Sequence, residues 1–254
     1  MQNNAFYSNI TLNLRGKLLT LSTPRVMGIL NVTPDSFYEG SRAQTDHDIL
    51  ERAEMMIKEG ADCLDIGGYS TRPGAAVISE EEEIRRVIPA IRLVTQQFPA
   101  IPVSIDTFRA SVAKRSVDVG ASLINDVSGG EADSKMFETV AELGVPYILM
   151  HMRGTPETMS AMTHYDHLLK DITRYFDTKI SQLRSLGVRD LILDPGFGFP
   201  KTVEQNFELL NQLGWFKIFG LPLLAGLSRK SMIWRTLAST PEAALNGTTG
   251  LHML

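Results

Sequence analysis

Cysteine, long apolar runs and an excess of either charge are all scarce in this chain. The single cysteine, Cys63, among 254 residues excludes an intramolecular disulfide and a thiolate zinc cluster. No apolar run approaches the roughly 18 residues that span a bilayer, and residues 1–10 lack the basic and apolar segments of a signal peptide. With 25 Lys plus Arg against 29 Asp plus Glu, the net charge is −4, so bulk charge does not point to nucleic acid. We expect a globular protein of the cytoplasm.

A repeated pattern organises the chain, whose residues are 43% hydrophobic and 21% charged. A helical segment ends at a glycine, and a short apolar run then ends in a polar residue, as expected where a helix passes into a buried parallel strand. The four segments with this pattern are 60–65, 120–126, 144–151 and 187–194. Three further strands are predicted at 26–32, 102–106 and 222–227. Seven parallel strands are therefore expected.

Amphipathic helices separate these strands, for example at 46–59, 80–97 and 165–186. Ser79 and Glu82 have the spacing of a capping box at the start of the second of these helices. Before the first strand, residues 11–21 predict a β-hairpin that turns at Arg15 and Gly16 and covers one end of the molecule. No linker or change of composition marks a boundary, so we expect one domain over residues 1–254.

Polar residues at the strand ends distinguish between two possible α/β folds. A doubly wound sheet gathers its ligand groups at one switch point, whereas a (β/α)₈ barrel draws them from the carboxyl ends of all its strands. The polar residues expected at such ends are Asn31, Asp65, Asp106, Asn125, Asp126, His151, Asp194 and Ser228. The only Gly-x-Gly stretch, 196–198, lacks the third glycine of the dinucleotide fingerprint. A barrel with a ring of polar residues is favoured.

Several of these residues suit a defined ligand chemistry. The carboxylates of Asp106 and Asp194 suit a ring edge with two adjacent N–H donors, such as a 2-amino-pyrimidinone; helix capping or a rim salt bridge is the alternative. The amide oxygen of Asn31 suits magnesium beside a phosphate, or an Asx turn before a proline. The loop 67–74 and the cations in 228–231 suit an anion, or are ordinary solvated segments. His151 and Cys63 are interpreted as structural residues.

The motifs at 27–37 and 70–74 together resemble the bacterial dihydropteroate synthase family, and the likeness extends over nearly the whole chain. Further motifs at 104–107, 124–126, 149–152, 194–199 and 228–231 follow in the family's order. The resemblance implies a (β/α)₈ barrel that joins 6-hydroxymethyl-7,8-dihydropterin pyrophosphate to para-aminobenzoate, releasing pyrophosphate for folate synthesis. It also implies a homodimer, and competition by sulfonamides for the aminobenzoate pocket.

Site residues carried over by this resemblance fall into three groups. The pterin substrate is held by Thr71, Asp106, Asn125, Asp194 and Lys230. The aminobenzoate pocket consists of Phe37, Arg72, Pro73, Phe199 and Ser231. Asn31 carries Mg²⁺. No protein nucleophile is expected, because loss of pyrophosphate leaves a cation delocalised into the pterin ring, and stabilising the leaving group and positioning the substrates carry the catalysis.

The sequence departs from the family at Tyr69, where Glu or Gln is usual, and at Glu39, where Asp is common. The resemblance further implies an eighth strand with an Arg-x-His motif after Leu254, so we expect a longer chain with roughly 25 to 35 more residues. Three alternatives stay open. They are a methyltetrahydrofolate methyltransferase serving a corrinoid partner, a non-catalytic pterin-binding paralogue, and an aldolase that forms a Schiff base on Lys230.

Overall fold

Strands and helices alternate along the chain in a computed structural model, which describes residues 10–33, 46–70, 77–154, 158 and 162–253. The strands are β1 (Thr11–Leu14), β2 (Lys17–Thr20), β3 (Met27–Asn31), β4 (Cys63–Gly67), β5 (Val103–Asp106), β6 (Leu123–Asp126), β7 (Tyr147–Met150) and β8 (Leu191–Asp194). The α-helices are α1 (Asp46–Lys58), α2 (Glu80–Gln97), α3 (Ala110–Asp118), α4 (Met136–Leu143), α5 (Leu168–Ser185), α6 (Val203–Asn211), α7 (Ser231–Thr236) and α8 (Leu245–His252). Short 3₁₀ helices cover Leu213–Phe219 and Glu242–Ala244.

The six strands from β3 to β8 form one parallel sheet in chain order. Each carboxyl end therefore lies at the same edge, with a helix between successive strands. The seventh predicted strand, 222–227, is reduced to an isolated parallel bridge between Leu193 and Leu223. Pro222 and two glycyl or alanyl residues weaken this segment as a strand, because proline lacks an N–H and small side chains pack poorly.

Two apolar layers hold the sheet. On the outer side, strand residues such as Leu64, Ile105 and Leu149 pack with the helices in one large buried cluster. On the inner side, Cys63, Leu123, Ile148 and Ile192 form a second cluster with Leu12 and Leu14 of the hairpin. This alternation is the period of two expected of strands. The hairpin thus closes the amino-terminal end of the strands, and the polar residues lie toward the opposite end.

Local signals in the sequence are largely confirmed. The hairpin turns at Arg15 and Gly16, both at positive φ, and α2 has the predicted bounds. Ser79 accepts a hydrogen bond from the Glu82 N–H, but the Glu82 carboxylate binds arginines one turn along the helix, so the capping box is only half formed.

Three further features complete the architecture. The helix predicted at 165–186 begins later, at Leu168. Val26 and Ile29 beside the free edge of β3 are 59% and 58% exposed, and no described strand pairs with that edge. Among the described helices, none has the length and apolar character needed to cross a bilayer.

Candidate functional site

Three polar side chains predicted for the pterin lie at or near the carboxyl ends of three strands of the parallel sheet. Asp106 is the last residue of β5, Asn125 lies one residue before the end of β6, and Asp194 is the last residue of β8. Strand pairing places Asp106 opposite Asn125. Asn125 and Asp194 are 9% and 8% exposed, whereas Asp106 is more open. The structure therefore brings these three groups to one face of the sheet, above its inner apolar layer.

Lys230 reaches the same place from the residue before α7. Its Nζ lies 4.7 Å from the centre of the Phe199 ring. Gly198 makes this approach possible, because a Cβ there would lie 2.7 Å from Lys230 Cδ, and its φ of +77° favours glycine. Burial lowers the pKa of Lys230, while the charges of Asp194 and Asp106 act to raise it. The amine is thus the counter-charge of the two carboxylates.

Asp106 lies among several acidic groups. Burial raises the pKa of Asp106 well above its ordinary value, and the charges of Asp65, Glu83 and Asp126 raise it further, against the effect of Lys230. Repulsion between carboxylates in a poorly solvated site favours protonation of one of them. Asp106 therefore holds its proton to a higher pH than an exposed aspartate, and a cation or N–H donors brought by a ligand favour its ionised form.

Asp194 is fixed by the turn that follows it. The Gly196 N–H donates to Asp194 Oδ1 at 2.7 Å. Burial raises the pKa of Asp194, and this hydrogen bond together with the charges of Lys230 and Lys201 acts in the opposite direction. Gly196 itself has a φ of +74°, and a Cβ there would lie 2.3 Å from the carbonyl oxygen of His151. The glycine lets the turn pass close to the end of β7.

Lys201 is a buried residue that the sequence analysis missed. Its Nζ donates to the Gly196 carbonyl oxygen at 2.9 Å and lies 3.3 Å from His151 Nδ1. Burial lowers the pKa of Lys201 to about 7, against the charge of Asp194. A lysine after Phe199-Pro200 reads as a solvated loop residue, and no periodicity in the sequence signals its burial. Lys201 thus stabilises the turn at Gly196, whose N–H bonds to Asp194.

Three members of the predicted ring differ in their placement from the residues described above. Asp126 accepts hydrogen bonds from Tyr147 Oη and from Ser128 and Gly130 N–H groups, on the side of β6 opposite to Asn125. His151 is 2% exposed, its ring lies 4.9 Å from that of Tyr175, and burial lowers its pKa well below the ordinary value. The interpretation of His151 as structural therefore agrees with its surroundings.

Ser228 is the third member, and it is exposed beyond the isolated bridge at Leu223. Alternation along a strand sends Asp126 outward, and the absence of a regular strand at 222–227 leaves Ser228 without the predicted placement. Cys63, by contrast, lies in the inner apolar cluster, and burial raises the pKa of its thiol.

The predicted magnesium ligand Asn31 ends β3, beside the strand that ends in Gly67. A Cβ on Gly67 would lie 3.3 Å from Asn31 Oδ1 and 3.4 Å from Asp106 Oδ2. Asn31 Oδ1 and Asp106 Oδ2 therefore both lie close to the backbone of Gly67, which carries no side chain. Magnesium keeps several waters and binds few protein groups beside phosphates, so the residues present fit that ion. The described residues contain no group of three or more acidic, histidine or cysteine side chains placed to hold a metal.

Residues expected at the aminobenzoate pocket are only partly described. Phe199 and Ser231 are both partly buried. The Phe199 ring lies beside Lys230 Nζ, and Ser231 follows Lys230 in the chain. Phe37, Arg72 and Pro73, together with Thr71 of the pterin group and Glu39, lie outside the described residues. The roles of Phe37, Thr71, Arg72 and Pro73 stay predictions.

Tyr69, one of the departures from the family pattern, has a specific setting. Its ring meets that of Phe108 edge-on at 5.0 Å, and the Arg109 guanidinium lies over both rings. Arg109 also pairs with the buried Glu83 carboxylate at 2.6 Å and donates to the Ile78 carbonyl oxygen. Tyr69 therefore belongs to an aromatic and cationic cluster, at the position where the family usually has Glu or Gln.

The strand order and the strand-end side chains define a parallel α/β-barrel enzyme that binds a small polar ligand at the carboxyl ends of its strands. The family model described as pterin binding enzyme matches residues 27–254. The dihydropteroate synthase of Escherichia coli K12 is 45% identical over 235 residues, covering 92% of this chain and 83% of that protein. That of Clostridium beijerinckii is 44% identical over 231 residues, covering 90% and 83%.

Solved structures agree. Dihydropteroate synthase from Xanthomonas albilineans with 4-aminobenzoic acid has a TM-score of 0.90 and 40% identity, covering 97% of this chain and 88% of that one. The Yersinia pestis enzyme in complex with a sulfonamide drug has a TM-score of 0.89 and 43% identity, covering 95% and 88%. The chain belongs to the dihydropteroate synthase family of pterin-binding enzymes, and its fold is the TIM barrel. The activity implied by the resemblance, that of a dihydropteroate synthase, is confirmed, and the chain is a transferase.

Proposed function

We propose that Asp106, Asn125, Asp194 and Lys230 hold the pterin substrate of the dihydropteroate synthase reaction. In that reaction the amine of para-aminobenzoate bonds to the methylene carbon of 6-hydroxymethyl-7,8-dihydropterin pyrophosphate. The carbon–oxygen bond breaks, pyrophosphate leaves with the electron pair, and the amine gives up a proton. The observation that carries this assignment is the convergence of two carboxylates, an amide and an amine on one face of the sheet.

Each group has a chemical role that its surroundings support. The carboxylates of Asp106 and Asp194 accept hydrogen bonds from the ring N–H groups, and they stabilise positive charge that develops in the ring as pyrophosphate departs. Asp194 is held for this role by the Gly196 N–H and by the brace from Lys201. Lys230 donates to acceptor atoms of the ring and balances the two acidic groups.

Magnesium completes the proposal. Asn31 would contact the ion through its amide oxygen, and the bound ion would offset the charge on the departing phosphates. Thr71 is proposed to lie near the same substrate. No side chain in the proposal acts as a nucleophile, because positioning the amine against the methylene carbon is the main contribution required of the protein.

The second substrate is proposed to bind between Phe199 and Ser231, with Phe37, Arg72 and Pro73 completing its pocket. The Xanthomonas albilineans structure with 4-aminobenzoic acid and the Yersinia pestis structure with a sulfonamide support this part by likeness. We propose that sulfonamides compete with para-aminobenzoate here. A homodimer in the cytoplasm is also proposed, and light scattering of the purified protein tests the dimer.

The decisive experiment measures pyrophosphate release with both substrates and Mg²⁺, and then with each of the three omitted. Release that requires all three supports the proposal. Release that continues without para-aminobenzoate indicates hydrolysis of the pterin pyrophosphate. Full release without the metal would show that magnesium is not required and would remove it from the proposal. Calorimetry with 6-hydroxymethylpterin on Asp106→Ala, Asn125→Ala and Asp194→Ala separately tests the residue roles.

A further inference from the structure

Asp65 is a buried carboxylate beneath the proposed pterin site that has no place in the proposed function. It lies two residues before the end of β4 and is 3% exposed. Strand register pairs it with Ser104 of β5, and alternation places both side chains on the same face as Asp106. Asp65 and Ser104 thus form the floor of the site, between Asp106 and the inner apolar layer.

A hydrogen bond connects Asp65 to a proposed pterin ligand. Asn125 Nδ2 donates to Asp65 Oδ2 at 2.8 Å. The two ends of an asparagine amide are nearly equal in shape, so its partners decide which end faces which way. An ionised carboxylate only accepts, and it therefore requires the amide nitrogen to face the floor. The Asn125 oxygen is then turned away from Asp65.

The remaining polar atoms of the floor are unusual. Asp65 Oδ1 and Ser104 Oγ are buried, and neither has a hydrogen-bond partner among the described residues. Burial raises the pKa of Asp65, while the nearby Ser104 and Asn125 side chains lower it. A carboxylate buried with so few partners opposes folding. Packing alone does not account for it, because an apolar side chain would fill the same space at a lower cost.

We propose that Asp65 is a positioning residue for the pterin, which fixes the Asn125 amide so that its carbonyl oxygen is presented to an N–H group of the ring. This inference rests on the proposed function, since it requires Asn125 to contact the pterin. Asp65 itself touches no reacting atom. Its contribution is to remove the alternative orientation of the amide, in which an NH₂ group would meet a ring donor.

A double-mutant cycle tests this role, with binding of 6-hydroxymethylpterin to the full chain measured by calorimetry. We expect Asp65→Ala and Asn125→Ala each to weaken binding roughly 10- to 100-fold, a loss typical of one buried polar contact. Because Asp65 acts through Asn125, the double variant should bind no more weakly than Asn125→Ala alone. Ser116→Ala, which removes a buried hydroxyl that also has no hydrogen-bond partner among the described residues but lies in α3, is the matched control and should bind within about threefold of the parent, well below the loss for one buried polar contact.

Each outcome is decisive. Losses that multiply in the double variant would overturn the positioning role, because they would show that Asp65 acts independently of Asn125. Parent affinity in Asp65→Ala would also overturn it. If Asn125→Ala binds as the parent does, the proposed function fails instead. Should thermal melting show that Asp65→Ala is unfolded, Asp65→Asn takes its place in the cycle, since it keeps the shape but permits both amide orientations.

Discussion

The buried amine of Lys201 makes the stability of this protein depend on pH. A single substitution separates this contribution from those of the other titrating groups. Lys201→Met removes the charge and keeps most of the apolar stem. It also removes the hydrogen bond to the Gly196 carbonyl oxygen. That bond persists whether the amine is charged or neutral, so its loss lowers stability at every pH. The charge, by contrast, contributes only where it titrates.

The direction of the pH effect follows from the lowered pKa. The unfolded chain holds the proton up to a pKa near 10.5, whereas burial lowers the folded pKa of Lys201 to about 7. Between these values the unfolded state binds more protons, so stability rises with pH. The contribution is complete above pH 10.5 and is lost as the pH falls to about 7. The full span is at most about 5 kcal/mol, at 1.36 kcal/mol for each pKa unit.

Urea unfolding at several values between pH 6.5 and 9.5 measures this, with the parent and Lys201→Met compared at each pH. The difference cancels other groups that titrate in the same range. We expect the free energy of unfolding of the parent to rise relative to that of the variant by a few kcal/mol, which is a large part of that span. Parallel curves for the two proteins would refute the reasoning, because they would show that Lys201 has the same pKa in both states.

Three further predictions concern the site. Asp194→Asn should weaken pterin binding about 10- to 150-fold, because an amide offers one acceptor and one donor where a carboxylate offers two acceptors; unchanged affinity in a folded variant, by calorimetry, would contradict the assignment. Gly198→Ala should destabilise the protein by about 1–3 kcal/mol and raise the KM for the pterin substrate, since its Cβ would lie 2.7 Å from Lys230 Cδ; a parent-like melting temperature and KM would speak against this contact. A sulfonamide should bind more tightly when pyrophosphate and Mg²⁺ are present, because the second pocket borders the site proposed for them, and equal affinities in a titration would argue against that coupling.

The fold could be predicted from the sequence where local rules are strong. Glycine at the ends of helices and the Arg15-Gly16 turn favour the left-handed conformation, and the structure has them, and most of the short apolar strands, in the expected places. The segment 222–227 was predicted less well, because a short apolar run does not reveal whether its backbone finds a partner along its whole length. Only Leu223 pairs with β8.

The site could be predicted only to the level of strand ends. Asn125 and Asp126 are adjacent and both polar, yet one side chain faces the inside of the sheet and the other bonds to Tyr147 on the outside. The period of two implies that adjacent residues separate in this way, but which of them faces inward depends on the register with β5 and β7. That register is a property of the whole sheet, so a single strand does not contain it.

The burial of charged side chains is the feature of the site that the local sequence predicts least well. Asp65 occupies a strand whose other residues are buried and apolar or glycine, and Lys201 follows a proline in a loop. The sequence around Asp65 suggests a ligand-binding group at a strand end, and the sequence around Lys201 suggests a solvent-exposed cation. In the folded chain the first is the floor beneath Asn125 and the second braces the turn after Asp194. Asp65 bonds directly to the proposed pterin-binding residue Asn125, whereas Lys201 bonds to Gly196, whose N–H in turn bonds to Asp194. Both buried groups oppose folding in their charged form. Sequence motifs suggest the groups proposed to face the substrate, whereas the groups that hold them are found only once the strands are placed side by side.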